Sequence, residues 1–125
     1  MFSLCARPDV RIHMCPFFGW YRDFADPQTV IDPLFNGANI VKKGNNNWAQ
    51  FDVPAINHAI ESAKDVTDPQ QRAQAWAAID RQIVDLAPGV ALFYPKSAAI
   101  RSANVLGAVS TQLGGVWDLA FTGLR

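Results

Sequence analysis

The feature that most constrains this chain is a pair of proline-opened amphipathic helices separated by a very short link. Asp68-Pro69-Gln70-Gln71 supplies an N-cap carboxylate, a proline at the first helical position and a glutamine that completes a capping box. Behind it Trp76, Ile79, Ile83 and Leu86 recur on one helical face, and Pro88-Gly89 stops the run. Upstream, Pro54 suits a first turn, and Ile56, Ala59, Ile60 and Ala63 form a second stripe. With only Val66-Thr67 between them, the two helices are predicted to fold back as an antiparallel hairpin. The continuous apolar run Val90 to Tyr94 reads as a buried strand, against which Ile56, Ile60, Trp76, Ile79 and Ile83 are predicted to pack.

Half of the 125 residues are hydrophobic, so one packed domain is expected. Eleven basic residues balance eleven acidic ones, and the positive excess that nucleic acid or an anionic membrane attracts is missing. No apolar run approaches the roughly 20 residues of a membrane span. Met1 to Leu4 has no basic segment before it, so it does not read as a signal peptide and looks like a start inside a longer reading frame.

The remaining elements are shorter. Val10 to Cys15 alternates apolar and polar residues after the turn Arg7-Pro8-Asp9, as a strand does. Such a strand would separate its ends by about 16 Å, and no Cys5–Cys15 disulfide is expected on that geometry. Asp26-Pro27 reads as the start of a short helix carrying Thr29, Val30 and Ile31. Asn36-Gly37 and Lys43-Gly44-Asn45-Asn46-Asn47 read as polar surface loop. Ala98 to Ser102 and Val105 to Val109 are weaker strand candidates, Val116 to Phe121 is a last short strand after the turn at Gly114-Gly115, and the whole pattern is α/β.

Chemistry is sparse. Phosphate-binding glycine loops and the nucleophile elbow are missing. His13 beside Cys15 has no acidic group spaced to orient it as a base, and Cys5, His13, Cys15 and His58 match no metal-ligand spacing. No catalytic residue, metal or cofactor is expected. The segment Gly19-Trp20-Tyr21-Arg22-Asp23-Phe24-Ala25-Asp26-Pro27 places a carboxylate among aromatic rings, a combination suited to an ammonium group. The same residues fit a second arrangement, in which Trp20 and Phe24 join the core and Asp23 caps a turn.

Gly19-Trp20-x-x-Asp23-x-x-Asp26-Pro27 resembles the G-W-x-x-D-x-x-D/E-P segment of family 5 extracellular solute-binding proteins, the peptide- and nickel-binding components of bacterial ABC importers. Further stretches resemble that family in the same order: Pro33-Leu34-Phe35, Asn47-Trp48 with Phe51-Asp52-Val53-Pro54, Thr67-Asp68 through Arg72, and Ala87-Pro88 through Tyr94-Pro95. Ala91 stands where the family has proline, and Val53 where it has a small polar cap.

The resemblance implies an α/β chain that is part of a two-lobed periplasmic-binding-protein-like fold, its helical hairpin packed on a small mixed sheet. Residues 1–94 would belong to the second ligand-binding lobe. Residues 95–125 would cross back towards the first lobe, most of which is absent. Asp23 would receive the terminal amine of a peptide, Trp20 would line the cleft, and Asn47 and Trp48 would lie near it. Asp23 is expected on a loop after the strand ending near Cys15, at the rim of the sheet. The implied partners are a small solute, foremost a peptide, and an ABC permease. The implied location is periplasmic or extracellular, with membrane association only through an export or lipid anchor outside this chain. The alternative is a freestanding truncated α/β interaction module without transport activity, and a more distant one is an enzyme using Cys15.

Overall fold

The sequence signals at Asp68 set the longest element. In the computed structural model, which describes residues 2–10, 12–16, 19–92, 100–109 and 118–125, helix α4 runs Pro69–Leu86. A side-chain oxygen of Asp68 accepts the Gln71 amide at 2.8 Å, satisfying one of the first-turn N–H groups. Helix α3 spans Pro54–Lys64 and starts from Val53 without a side-chain cap; Pro54 brings no N–H to be satisfied, and the Val53 carbonyl accepts the Ile56 and Asn57 amides, both at 2.9 Å. The two fold back on each other, burying Ile56, Ile60 and Ala63 of α3 against Trp76, Ile79 and Ile83 of α4. Leu86, read as the end of the stripe, is exposed. The stop also falls one residue early, at Ala87, whose left-handed backbone (φ 46°, ψ 52°) carries the C-terminal turn.

The third layer differs from the expected strand. Helix α2, Gln28–Phe35, contributes Ile31 to the core, and the loop residue Phe51 closes it, with Phe35 edge-on to Phe51 at 6.1 Å. Val90 and Leu92 are 80% and 82% exposed and form no strand. Phe93, Tyr94 and the start of the 98–102 candidate lie outside the described residues. The hairpin's stripes are covered by each other, by α2 and by Phe51.

The described sheet is a two-stranded antiparallel ladder. Strand β1, Val105–Leu106, pairs with β2, Gly123–Leu124, in the register Val105↔Leu124 and Leu106↔Gly123. Of the Val116 to Phe121 candidate, residues 116 and 117 lie outside the described residues, and Leu119–Phe121 is a 3₁₀ turn.

The N-terminal segment also departs from expectation. Residues Phe2–Cys5 form a single helical turn, α1, and two further turns follow at Arg7 and Val10. No strand forms at 10 or 12–15, where Met14 is exposed. Cys5 and Cys15 are disulfide-bonded with their Cα atoms 5.8 Å apart. The expectation of no Cys5–Cys15 bridge fails because it assumed an extended segment; a helical turn followed by tight turns brings the ends together.

Candidate functional site

The segment carrying Trp20 and Asp23 is fixed by helix α2. Asp26 accepts the Gln28 amide at 2.8 Å through its side chain and the Thr29 amide through its carbonyl, opening α2 as its Asp-Pro sequence predicts. The same carboxylate is gripped by Arg72, with Nε to Oδ2 at 2.6 Å and Nη2 to Oδ1 at 3.1 Å. Such a fork-to-fork pair fixes orientation as well as distance. Arg72 also donates to the carbonyls of Ala63, Lys64 and Val66, where α3 ends, and its guanidinium lies 5.7 Å from the Trp76 ring centroid. One side chain thus ties the start of α2 to the turn of the hairpin. The hydrogen bonds from Arg72 hold the Asp26 carboxyl below its ordinary range, outweighing the upward push of burial.

Trp20 donates its indole N–H to the Thr29 carbonyl at 2.8 Å, so its half-buried ring is fastened over the first turn of α2. Asp23 is exposed on the bend before that helix, and no sheet rim lies beneath it among the described residues. Phe24 is exposed as well, so the arrangement with both Trp20 and Phe24 in the core is not the one formed.

The asparagine run departs from its reading as surface loop. Asn45 and Asn47 are buried while Asn46 is exposed. Asn47 is 0% exposed, and its side chain serves the backbone: Nδ2 donates to the Phe51 carbonyl at 2.8 Å and the Asn36 carbonyl at 3.3 Å, and Oδ1 accepts the Phe51 amide at 2.9 Å. Asn45 in turn accepts the Asn47 amide at 3.0 Å and, through its carbonyl, the Trp48 indole N–H at 3.0 Å. Both tryptophans thus bond a backbone carbonyl through N–H and keep a half-buried ring. Alternate asparagines point inward because each supplies donors and acceptors to a loop with no helix or strand to satisfy it.

At the other end of α2, buried Asn36 donates to Asp32 and Glu61, each at 2.8 Å. Lys64 reaches the same two carboxylates at 3.0 and 2.8 Å. Burial pushes the Lys64 ammonium down, but the bonds to Glu61 and Asp32 outweigh it and leave its pKa raised. A Cβ at Gly37 would stand 2.0 Å from Asp52 Oδ1, so any larger residue there would displace the exposed Asp52 side chain.

The four expected site residues do not form one cluster. Trp20 binds the Thr29 carbonyl and Asn47 the Asn36 carbonyl, seven positions apart along α2, or about 10 Å at the helical rise. Trp48 lines a separate cavity of about 530 Å³ between the Cys5–Cys15 loop and the 48–50 turn. Among the described residues no three His, Cys, Asp or Glu side chains gather as metal ligands, and no helix is long and apolar enough to cross a membrane.

No family profile matches the chain. Over 97 residues it is 28% identical to heme-binding protein A of Haemophilus influenzae, covering 78% of this chain and 17% of that protein. Over 113 residues it is 29% identical to di/tripeptide-binding protein 4 of Pseudomonas aeruginosa, covering 89% of this chain and 20% of that one. Among solved structures, clavulanic acid biosynthesis oligopeptide binding protein 2 superposes with a TM-score of 0.78 at 29% identity, over 85% of this chain and 19% of its own.

The chain is similar to part of a family 5 solute-binding protein. It spans about a fifth of the length of the relatives it matches. All three are named as binding proteins and none as an enzyme, which places this chain with binding proteins rather than enzymes. Against that solute-binding similarity, the residues that organise the region were only half legible. Arg72 stands in a recognised motif, yet nothing in its spacing from Asp26 announces a contact across 46 positions. Asn36 and Asn45 read only as polar surface loop, whereas both are buried.

Proposed function

We propose that this chain is part of the solute-binding component of an ABC importer, capturing a peptide or related small solute for delivery to a membrane permease. The observation that carries this reading is the superposition on an oligopeptide-binding protein at 29% identity over most of the chain. Residues 1–94 supply one wall of the ligand cleft, and residues 95–125, which hold the β1–β2 ladder, cross towards the other lobe. The exposed side chains of Val90, Leu92, Ile100 and Leu119 fit a surface that further chain covers. The location is periplasmic or extracellular, which agrees with a Cys5–Cys15 bridge.

In this reading Asp23 receives the ammonium of a peptide N-terminus, beside the fastened ring of Trp20. Trp48 lines a second part of the wall, and Asn47 holds the loop that carries it. The test compares trialanine with its N-acetylated form by NMR titration of the wild-type chain and Asp23→Asn. An exposed ion pair is worth about 0.2–1 kcal/mol, so Asp23→Asn should weaken trialanine roughly two- to fivefold and leave the acetylated peptide unchanged. Equal affinities of wild type and variant for trialanine would remove Asp23 from the ligand site.

A further inference from the structure

Asn36-Gly37 is the one Asn-Gly step in the chain. Glycine has no Cβ to shield its own nitrogen, so in an open chain that nitrogen can attack the asparagine side-chain carbon. The fold places this step at the end of α2 and blocks the attack in three ways. The Asn36 side chain is pinned: Nδ2 donates to Asp32 Oδ1 and Glu61 Oε1, each at 2.8 Å, and Oδ1 accepts the Ala38 amide at 3.0 Å. The Gly37 N–H is held by Asn57 Oδ1 of α3 at 2.9 Å. At ψ 121° the Gly37 nitrogen is rotated well away from the Asn36 Cβ, with which ring closure must bring it nearly eclipsed. Asn36 is also only 1% exposed, which keeps water from it.

We propose that Asn36-Gly37 is a self-modification site, released by local opening of the α2–α3 junction and unable to close again once it has reacted. When the junction opens, the Gly37 nitrogen forms a bond to Asn36 Cγ, and the bond from Cγ to the side-chain nitrogen breaks. The Gly37 proton leaves with that nitrogen as ammonia, and the ring product is a succinimide. Water then adds to either ring carbonyl, giving aspartate or isoaspartate at position 36. Nothing is oxidised or reduced. The closed junction does not accommodate either product. Nδ2 is the donor that Asp32 and Glu61 share. A carboxylate in its place removes that donor and brings a third negative charge to a pair whose cation, Lys64, already bonds both at 3.0 and 2.8 Å. In isoaspartate the backbone is also one carbon longer, which carries the Gly37 N–H off Asn57. The step thus records each opening of the junction permanently, and it does not rest on the solute-binding reading.

The test incubates the 125-residue chain in mildly alkaline buffer, with and without urea, and follows the 36–37 peptide by mass spectrometry as a gain of one mass unit. Deamidation at Asn36 should be at least roughly tenfold slower in the folded chain than in urea, because the folded chain reacts only through its open fraction. Equal rates in the two conditions, or no reaction in urea, overturn the proposal. The product refolded out of urea should melt roughly 5–10 °C below the unmodified chain, and so should Asn36→Asp, which reproduces the aspartate form. An unchanged Tm in both overturns the one-way step. A second variant separates crowded charge from a general loss of packing. Asn36→Asp combined with Glu61→Gln should melt above Asn36→Asp alone, because a glutamine amide at 61 donates to the new carboxylate in place of repelling it. If the double variant melts at the same temperature or lower, the three-carboxylate account fails and the proposal with it.

Discussion

Replacing Asn47 by alanine tests whether one buried amide organises the loop between α2 and α3. The variant removes two donated bonds and one accepted bond, leaving the Phe51 N–H and carbonyl without their partner and the Asn36 carbonyl with the Asn39 amide alone. An unsatisfied buried polar group costs about 1–3 kcal/mol. The bond to Asn36 is long at 3.3 Å, and water can reach a relaxed turn at half-exposed Gln50, so the three do not add in full. A loss of about 3–5 kcal/mol is expected, a large share of a typical domain's stability of about 5–15 kcal/mol. Urea unfolding followed by tryptophan fluorescence and circular dichroism measures it, with coincident curves checking for two-state behaviour. Asn46→Ala is the control, because the neighbouring asparagine is exposed and its loss should stay within about 0.5 kcal/mol. Asn47→Asp keeps the acceptor for Phe51 N–H but turns a carboxylate towards two carbonyl oxygens, so it should be no milder than alanine. If Asn47→Ala and Asn46→Ala unfold at the same urea concentration, the buried-amide account of this loop is wrong.

Ala87 ends α4 in the left-handed region, where a Cβ costs about 1–2 kcal/mol; Ala87→Gly should raise the unfolding free energy by about 0.5–1 kcal/mol, and a lowered Tm would contradict the cap. Because Arg72 depresses the folded-state pKa of Asp26, the stability this pair contributes is full above the unfolded value of about 4 and drains as pH falls through the lower folded value. Unfolding curves across that acid window should show a slope that Asp26→Asn reduces, and an unchanged slope would deny the pair its part. The double variant Cys5→Ser, Cys15→Ser opens a loop closed over 10 positions, for which the chain-entropy relation gives about 2.7 kcal/mol; thermal melts of oxidised wild type and the variant measure the difference.

The helical hairpin could be read directly from residues 54–86. Its signals are local: two prolines at helix starts, a capping carboxylate at Asp68, and apolar residues at helical spacing that can bury only by facing each other. The Asp26-Pro27 start of α2 was legible for the same reason. The ordered motifs likewise point to solute-binding proteins. What covers the hairpin was not local. Val90 to Tyr94 is apolar enough for a buried strand, but the choice between that run, α2 and Phe51 as the third layer depends on which surfaces meet in space. The Cys5–Cys15 bridge turned on one helical turn and two tight turns that alternation of apolar residues concealed. Arg72 on Asp26 and Asn47 on Phe51 and Asn36 are likewise tertiary, because a polar side chain is read as surface until the fold brings it an unsatisfied partner. Periodicity records the face an element hides; only the packed chain decides what it is hidden against, and which polar groups are carried inside to satisfy the backbone there.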